Sequence, residues 1–249
     1  MKKYHIGCSG YFYKEWAGNF YPKNIPTNRW LQYYCEHFNT VEINASFYKF
    51  PETHNLLRWH NKTPSDFSFS IKAPQMITHY TKFADHQLLN RFYEVAKKGL
   101  KEKIKCILFQ LPPSLKYTSE FLDNMLKALS PNFTNVIEFR HESWWNQNVF
   151  EAFKSKGIVF CNISYPGLPE DLLVTSSLVY IRLHGKTELY KSIYTKEEIA
   201  LWSKNILSKE FVDLYMYFNN TWNMGAIENA LEIKKLLHLI NSKVIPEIL

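Results

Sequence analysis

Hydrophobic and polar positions follow two different periodicities along this chain. Short runs rich in β-branched and aromatic residues recur throughout and predict strands. The longer segments between most of them carry apolar residues three or four positions apart, which predicts amphipathic helices. The eight predicted strands span residues 4–8, 40–45, 67–73, 105–111, 135–139, 158–163, 178–183 and 212–218.

Sequence signals for helix starts lie between these strands. Thr195 and Glu198 have the spacing of a capping box. The segment 164–177, between the sixth and seventh strands, contains Pro166 and Pro169 and leaves room for only one or two helical turns. The six predicted helices begin near Thr27, Pro51, Asp85, Ser119 and Thr195, and a last one covers 226–240.

Strands that alternate with helices over 249 residues are typical of an α/β protein, a single (β/α)8 TIM-type barrel of eight parallel strands. A doubly wound open sheet is the alternative. The sequence after the first strand, Gly7 to Gly10, lacks the GxGxxG pattern, which argues against a dinucleotide-binding fold. Residues 1–249 show no linker, so we predict one domain.

Composition adds a weaker expectation about partners and compartment. Thirty Lys and Arg against 23 Asp and Glu give a formal charge of +7, which favours an anionic partner, although solvated helices rich in Lys produce the same charge. No apolar run approaches the roughly 20 residues of a membrane helix, and no signal-like stretch opens the chain, so we predict a cytoplasmic protein without membrane contact. The four cysteines lack CxxC spacing and are predicted to be reduced core thiols.

Polar residues on the predicted strands indicate where chemistry could occur. Alternate residues of a barrel strand face inward, and functional side chains gather at the carboxyl ends of the strands. The competing interpretation is that internal ion pairs, Glu138 with Arg140 or Arg182 and Glu42 with Lys72, merely fill the barrel. The alternation predicts an inward position for Glu42, Asn44, Ser70, Lys72, Glu138, Arg140, Tyr180, Arg182, His184, Tyr215, Tyr217 and Asn219, and the strand ends add Gln110 and Asn162.

Aromatic residues are concentrated in the predicted loops at the same end of the barrel. Such rings can stack on sugars or bases, or they can pack on one another as a hydrophobic lid. These residues are Tyr11, Phe12, Tyr13, Trp16, Phe20 and Tyr21 after the first strand, Phe47, Tyr48 and Phe50 after the second, and Trp144 and Trp145 after the fifth.

Seven motifs occur in the order GCSGYFYKEWAGNFYP, FNTVEINASFYKFP, KAPQMITH, ILFQLPPS, VIEFRHESW, YIRLHG and YFNN. In these motifs the chain resembles the YecE-like family, which carries domain of unknown function 72. The resemblance implies a TIM barrel without an established reaction. The chain departs from the family pattern at Cys8 and Tyr11, where Thr and Trp are common, and at Ser164, near which an acidic residue is common. Carried over position by position, the family motifs fall on Glu42, Asn44, Tyr48, Lys72, His79, Gln110, Glu138, Arg140, His141, Arg182, His184 and Asn219.

The first functional hypothesis is an enzyme that transforms a small anionic or phosphorylated ligand. Glu42 and Glu138 would act as general acid and base, while Lys72, Arg140 and Arg182 hold the anion. Lys72 could instead form a Schiff base. The candidate catalytic residues are Glu42, Glu138, Lys72 and His184, and the candidate ligand-binding residues are Tyr11, Asn44, Tyr48, Gln110, Arg140, His141, Arg182 and Asn219.

Two further hypotheses fit the same residues. The second is a nucleic-acid-binding or phosphodiester-cleaving protein, by analogy of fold with TIM-barrel repair nucleases. The third is a ligand sensor without catalysis. Because no HxH, DxD or HExxH spacing occurs, we predict no metal site and no cofactor. The sequence gives no prediction of the oligomeric state.

Overall fold

Eight parallel strands form the centre of the molecule in the computed structural model, which describes residues 2–242 and their side chains as far as His238. The strands are rich in β-branched and aromatic residues and are almost entirely buried. They are β1 Lys3–Cys8, β2 Thr40–Ile43, β3 Ser68–Lys72, β4 Ile104–Gln110, β5 Asn135–Glu138, β6 Val159–Ser164, β7 Leu178–Leu183 and β8 Asp213–Phe218.

Helices follow all of the strands except β6 and pack around the sheet. They are α1 Trp30–His37, α2 Ala45–Tyr48, α3 Thr53–Asn61, α4 His86–Leu100, α5 Ser119–Ala128, α6 Gln147–Lys156, α7 Lys196–Leu207 and α8 Gly225–Ser242. Short 3₁₀ turns cover Lys14–Trp16, Thr27–Arg29, Lys101–Lys103 and Glu142–Trp144, and a π-helical turn covers Met76–Tyr80.

Seven parallel pairings order the strands as β1-β8-β7-β6-β5-β4-β3-β2. The gap between β1 and β2 is closed by a bridge from Ser9 to Glu42. Beside this bridge the hydroxyl of Tyr34 accepts a hydrogen bond from Cys8 N at 2.7 Å and donates to Thr40 O at 3.1 Å. The sheet is therefore a nearly closed barrel, with the fold class that the alternation of strands and helices predicts.

Most of the predicted elements are confirmed. All eight predicted strands are present, with each end displaced by two residues at most. Asp85 caps α4 by accepting a hydrogen bond from Leu88 N. The capping box of Thr195 and Glu198 is complete, with both reciprocal hydrogen bonds formed. The predicted helix over 226–240 lies within α8.

Helix α5 begins at Ser119 as predicted, and Thr118 caps it. Other details differ from the predictions. Thr27 opens a 3₁₀ turn and provides no side-chain cap for α1. The segment between β6 and β7 forms no helix, and Pro166, Gly167 and Pro169 disfavour one in its first half. Helix α6 was not predicted, although Asn146 caps it and Gly157 ends it in the left-handed conformation.

The hydrophobic core has two parts. The larger part lies between the barrel and the helices. The smaller part fills the barrel with side chains from β4 to β8, where Cys106, Val136, Cys161, Tyr180 and Tyr217 pack together. Apolar contacts thus fill the barrel below its carboxyl-terminal end. All four cysteines are free thiols, and the three on strands, Cys8, Cys106 and Cys161, are buried.

Across the part of the chain that the structure describes, helices are either too short or too polar to traverse a lipid bilayer.

Candidate functional site

Charged side chains cluster inside the barrel at its C-terminal mouth, which is the end where the carboxyl ends of the strands lie. The predicted alternation is confirmed on three strands. Glu42 on β2, Glu138 on β5 and Arg182 on β7 all point inward and are at most 1% exposed. Burial of three charges in one place requires that they neutralise one another.

Arg182 lies at the centre of this cluster and bridges the two carboxylates. Its Nη2 donates to Oε1 of Glu42 at 2.7 Å, and its Nη1 donates to Oε2 of Glu138. Ser9 and Tyr180 donate their hydroxyl protons to Oε1 and Oε2 of Glu42, both at 2.6 Å. Burial alone would lower the pKa of Arg182, but the two carboxylates outweigh it and raise that pKa well above the usual range.

Glu138 also pairs with Arg140, two residues along the chain, through the Nε of that side chain. The guanidinium of Arg140 lies over the ring of Tyr165 at 4.1 Å from its centroid. Burial alone would raise the pKa of Glu138, but Arg140 and then Arg182 outweigh it and hold the pKa well below the usual range. Glu138 is therefore an ionised carboxylate at neutral pH, which suits a fixed anion and not a proton donor.

His184 is buried at the edge of the same cluster. Its Nδ1 lies 2.9 Å from Nδ2 of Asn219, and its Nε2 lies 3.1 Å from Nη2 of Arg140 and 3.4 Å from Oε1 of Glu138. Burial lowers the pKa of His184 most, and the charge of Arg140 lowers it further, to well below the usual range. The imidazole is therefore neutral and acts as a hydrogen-bonding group.

Lys72 lies at the end of β3 in a different environment. Its ammonium donates to Oε1 of Gln110 at 2.8 Å and lies 3.8 Å from the ring centroid of Phe47. Burial, and then the charge of Arg182, lowers the pKa of Lys72 to about 7. The π-helical turn after β3 places His79 against Phe47, with ring centroids 5.2 Å apart. Lys72 is therefore surrounded by polar and aromatic side chains.

Three other predicted site residues take no part in the network of ion pairs. Tyr48 is 78% exposed on α2. His141 hydrogen-bonds through Nδ1 to the hydroxyl of Ser143 in the next turn. Tyr11 accepts a hydrogen bond from Nε1 of Trp59 at 2.9 Å. The binding roles of these residues stay predictions.

The inward position predicted for Asn162 is wrong. Its neighbours Cys161 and Ile163 face the barrel interior, so Asn162 faces outward. Its Nδ2 donates to the carbonyls of Leu173 and Tyr180, and its Oδ1 accepts from Leu173 N. The amide therefore holds the helix-free connection between β6 and β7 against the barrel wall.

Sequence reasoning missed several groups that complete the site. Tyr165 and Phe47 supply the rings beneath Arg140 and Lys72. Both follow strands in the sequence, but no pattern distinguishes them from the other aromatic residues in the loops. Ser164, near which this chain lacks the acidic residue common in the family, donates its hydroxyl proton to Glu170 in the following loop.

A metal ion would need a cluster of His, Cys, Asp or Glu side chains as ligands. Among residues 2–242, no three His, Cys, Asp or Glu side chains lie in an arrangement that could hold a metal ion. The charges at the mouth are instead arranged as alternating cations and carboxylates.

Fold and site together define a class: a (β/α)8-barrel protein with a buried network of arginines and carboxylates at its C-terminal mouth. The family model described as protein of unknown function DUF72 matches residues 5–248. The chain belongs to this family, as its motifs predicted.

Individual relatives extend the comparison. The UPF0759 protein YunF of Bacillus subtilis is 24% identical over 279 aligned positions, which cover 97% of each chain. The UPF0759 protein YecE of Escherichia coli is 28% identical over 129 positions, which cover 51% of this chain and 47% of that protein.

Solved structures share the fold. A DUF72 family protein from Thermotoga maritima is 27% identical and superposes with a TM-score of 0.84, covering 95% of this chain and 99% of that one. A DUF72 family protein from Enterococcus faecalis, 21% identical, gives 0.83 over 99% of both chains. The protein titled SacUVDE, 13% identical, gives 0.55 over 97% of this chain and 99% of that one, a likeness of fold alone.

Proposed function

We propose that the C-terminal mouth of the barrel binds a small anionic ligand, with Lys72 and Arg140 as the groups that receive its charge. The observation that carries this proposal is the environment of Lys72. The residue is 9% exposed, yet its ammonium hydrogen-bonds to a neutral amide, and among the described residues no carboxylate oxygen lies within 4 Å of it. A buried cation without an anionic partner favours an anion from outside.

Lys103 provides a contrast within the same chain. Its ammonium is also buried, but it donates to the carbonyls of His60 and Thr63 and to the hydroxyl of Thr63, at 2.7, 2.8 and 3.1 Å. Three acceptors match the three protons of an ammonium group. Lys72 has one such acceptor and a ring face, so two of its protons are free for a ligand.

Arg140 is the second cation that a ligand can reach. Its side chain is 6% exposed and lies between Glu138 and the ring of Tyr165, whereas the side chain of Arg182 is 1% exposed. Asn219, which is half-buried, adds an amide on the same side. We infer that Arg182 holds the two carboxylates in place while Arg140 and Lys72 face the ligand.

The chemistry we propose for this site is proton transfer through Lys72. A pKa of about 7 means that amine and ammonium are both populated at neutral pH, so the side chain can accept a proton from a bound ligand and return it. Glu42 accepts hydrogen bonds from Ser9, Tyr180 and Arg182. Its role in this proposal is to orient Arg182.

Binding of sulfate, measured by isothermal titration calorimetry, tests the proposal, because the charge of sulfate does not change between pH 5 and 9. Wild-type protein should bind sulfate more weakly as pH rises through about 7, where Lys72 loses its proton. Lys72→Met should lower the affinity at pH 6 by about tenfold or more, the loss of a charge-assisted hydrogen bond. Lys127→Met removes an exposed lysine and is the control for net charge.

Equal sulfate affinity in wild type and Lys72→Met would overturn the proposal. A parallel titration with a single-stranded oligonucleotide examines the nucleic-acid hypothesis. Affinity that falls steeply with salt concentration would indicate contacts to several phosphates, whereas a small-anion site gives a shallow dependence.

A further inference from the structure

A cavity of about 360 Å³ lies beside the charge network, between the loop after β1 and the turn from β2 into α2. Its volume lies in the range of small-molecule binding sites. Four of its nine lining residues are aromatic. The side chains that matter for its chemistry are those of Tyr11, Phe12, Tyr13, Glu42, Asn44 and Trp59.

Most polar groups in this wall already have partners. Glu42 accepts from Ser9, Tyr180 and Arg182. The hydroxyl of Tyr13 donates to the carbonyl of Ser9, and the indole N–H of Trp59 donates to the hydroxyl of Tyr11. These groups shape the cavity and leave little hydrogen-bonding capacity for a ligand.

Asn44 is the exception. Its Oδ1 is buried, and within residues 2–238 it has no hydrogen-bond partner. A buried acceptor without a donor is unfavourable, so its presence in the wall of a cavity indicates a ligand group that donates to it.

Asn44 also connects the cavity to the anion site. Ile43, the last residue of β2, pairs with Ile71 of β3, so Asn44, which directly follows Ile43, lies close to Lys72 at the end of β3. Neighbouring strands lie about 4.8 Å apart. A ligand that binds Lys72 through its anion can therefore place the adjoining part of its structure against Asn44.

We propose that this cavity receives a neutral ring of the ligand, which packs against the aromatic wall and donates a hydrogen bond to Oδ1 of Asn44. The proposal rests on the anion site at Lys72 and specifies its ligand as a ring compound that carries both an anionic group and a hydroxyl or N–H donor. A sugar phosphate and a nucleotide share this chemistry, and the experiment distinguishes them.

The experiment compares the affinities of four probes by calorimetry: inorganic phosphate, glycerol 3-phosphate as the acyclic control, glucose 6-phosphate and AMP. Wild-type protein should bind one of the two ring phosphates about tenfold or more tightly than glycerol 3-phosphate. Asn44→Ala should reduce that preference by about fivefold, the loss of one hydrogen bond. Asn55→Ala, an exposed asparagine on α3 beyond Trp59, is the matched control.

A second variant covers the case in which Asn44→Ala fails to fold. Ala45 lines the cavity and its side chain is exposed, so Ala45→Leu narrows the cavity with little change to the core. This variant should lose the preference for the ring and keep phosphate binding.

The outcomes separate the two proposals. The proposed ring-binding cavity would be overturned if the wild type bound cyclic and acyclic phosphates equally, or if the variants kept the preference for the ring. Neither result would contradict the proposed anion site. A ring compound bound through Asn44 but equally well by Lys72→Met would overturn the anion site. Failure of the wild type to bind any of the four probes would overturn both.

Discussion

Arg182 on β7 donates through Nη2 to Oε1 of Glu42 on β2, 2.7 Å away across the interior of the barrel. Since β7 and β2 are not neighbours in the sheet, this contact joins distant parts of the wall. Glu138 on β5 receives the other arm of the same guanidinium. Arg182 on β7 is therefore hydrogen-bonded to β2 and β5, above the apolar side chains that fill the barrel.

Arg182→Met should destabilise the protein strongly. The substitution leaves Glu42 and Glu138 buried without their common cation, and removal of one partner from a buried ion pair costs about 3–5 kcal/mol. Urea denaturation at pH 7 measures this loss. Arg29→Met, at an exposed position, should change the free energy of unfolding by less than about 0.5 kcal/mol.

A compensating variant shows whether the loss arises from charge. Glu42→Gln combined with Arg182→Met removes this arginine and the carboxylate that has no other ion-pair partner, while Glu138 keeps its ion pair with Arg140. This double variant should recover part of the stability. If it is no more stable than Arg182→Met, lost packing and not uncompensated charge explains the effect.

Lys72→Met should stabilise the protein near neutral pH. The pKa of Lys72 is about 7 in the folded protein and about 10.4 in an unfolded chain. Between these values the unfolded state binds a proton that the folded state lacks, so wild-type stability rises with pH across this window. Below pH 7 the burial cost is fully present, on the order of 4 kcal/mol.

Unfolding free energies of wild type and Lys72→Met at pH 6, 8 and 10 measure this effect. The gain from the substitution should be largest at pH 6 and should decline toward pH 10. Lys103→Met is the matched control, because it removes an ammonium group with three acceptors and should be destabilising. A gain that does not vary with pH would contradict the assignment to Lys72.

The barrel and the inward face of its strands could be predicted from the sequence because both depend on local periodicity. Alternation with a period of two placed Glu42, Glu138 and Arg182 inside without any knowledge of their partners. Ion pairing of Glu138 with Arg140 or Arg182 was anticipated as an alternative interpretation. The partner expected for Glu42 was Lys72, whereas the structure pairs Glu42 with Arg182.

Other features depend on long-range packing and left no local signal. The ring of Phe47 beneath Lys72 and that of Tyr165 beneath Arg140 come from loops, where direction is set by tertiary contacts. Asn162 was placed inward because it lies near the end of a strand, but its position in the alternation faces the backbone of the next connection. The cavity beside Asn44 likewise arises from elements that are distant in sequence.

His184 should stay neutral across the physiological pH range. Burial and the charge of Arg140 hold its pKa well below the usual value, so the proton that most histidines take up near pH 6.5 should be absent. In two-bond ¹H–¹⁵N NMR spectra recorded across a pH titration, the ring of His184 should keep the neutral pattern at pH values where an ordinary histidine is protonated. Loss of its signal in His184→Gln identifies it, and a midpoint at or above the ordinary histidine value would contradict the prediction.

Gly7→Ala tests how the barrel closes between β1 and β2. A Cβ at Gly7 would lie 2.2 Å from Thr40 O and 2.8 Å from the hydroxyl of Tyr34, the group that hydrogen-bonds to both strands at this junction. Because a backbone carbonyl cannot move aside without separating the strands, the variant should lose about 3 kcal/mol or more in urea denaturation. Gly157→Ala, whose Cβ meets open space but whose φ is +65°, should cost only about 1–2 kcal/mol. Equal losses in the two variants would show that the strands are not in close contact at Gly7.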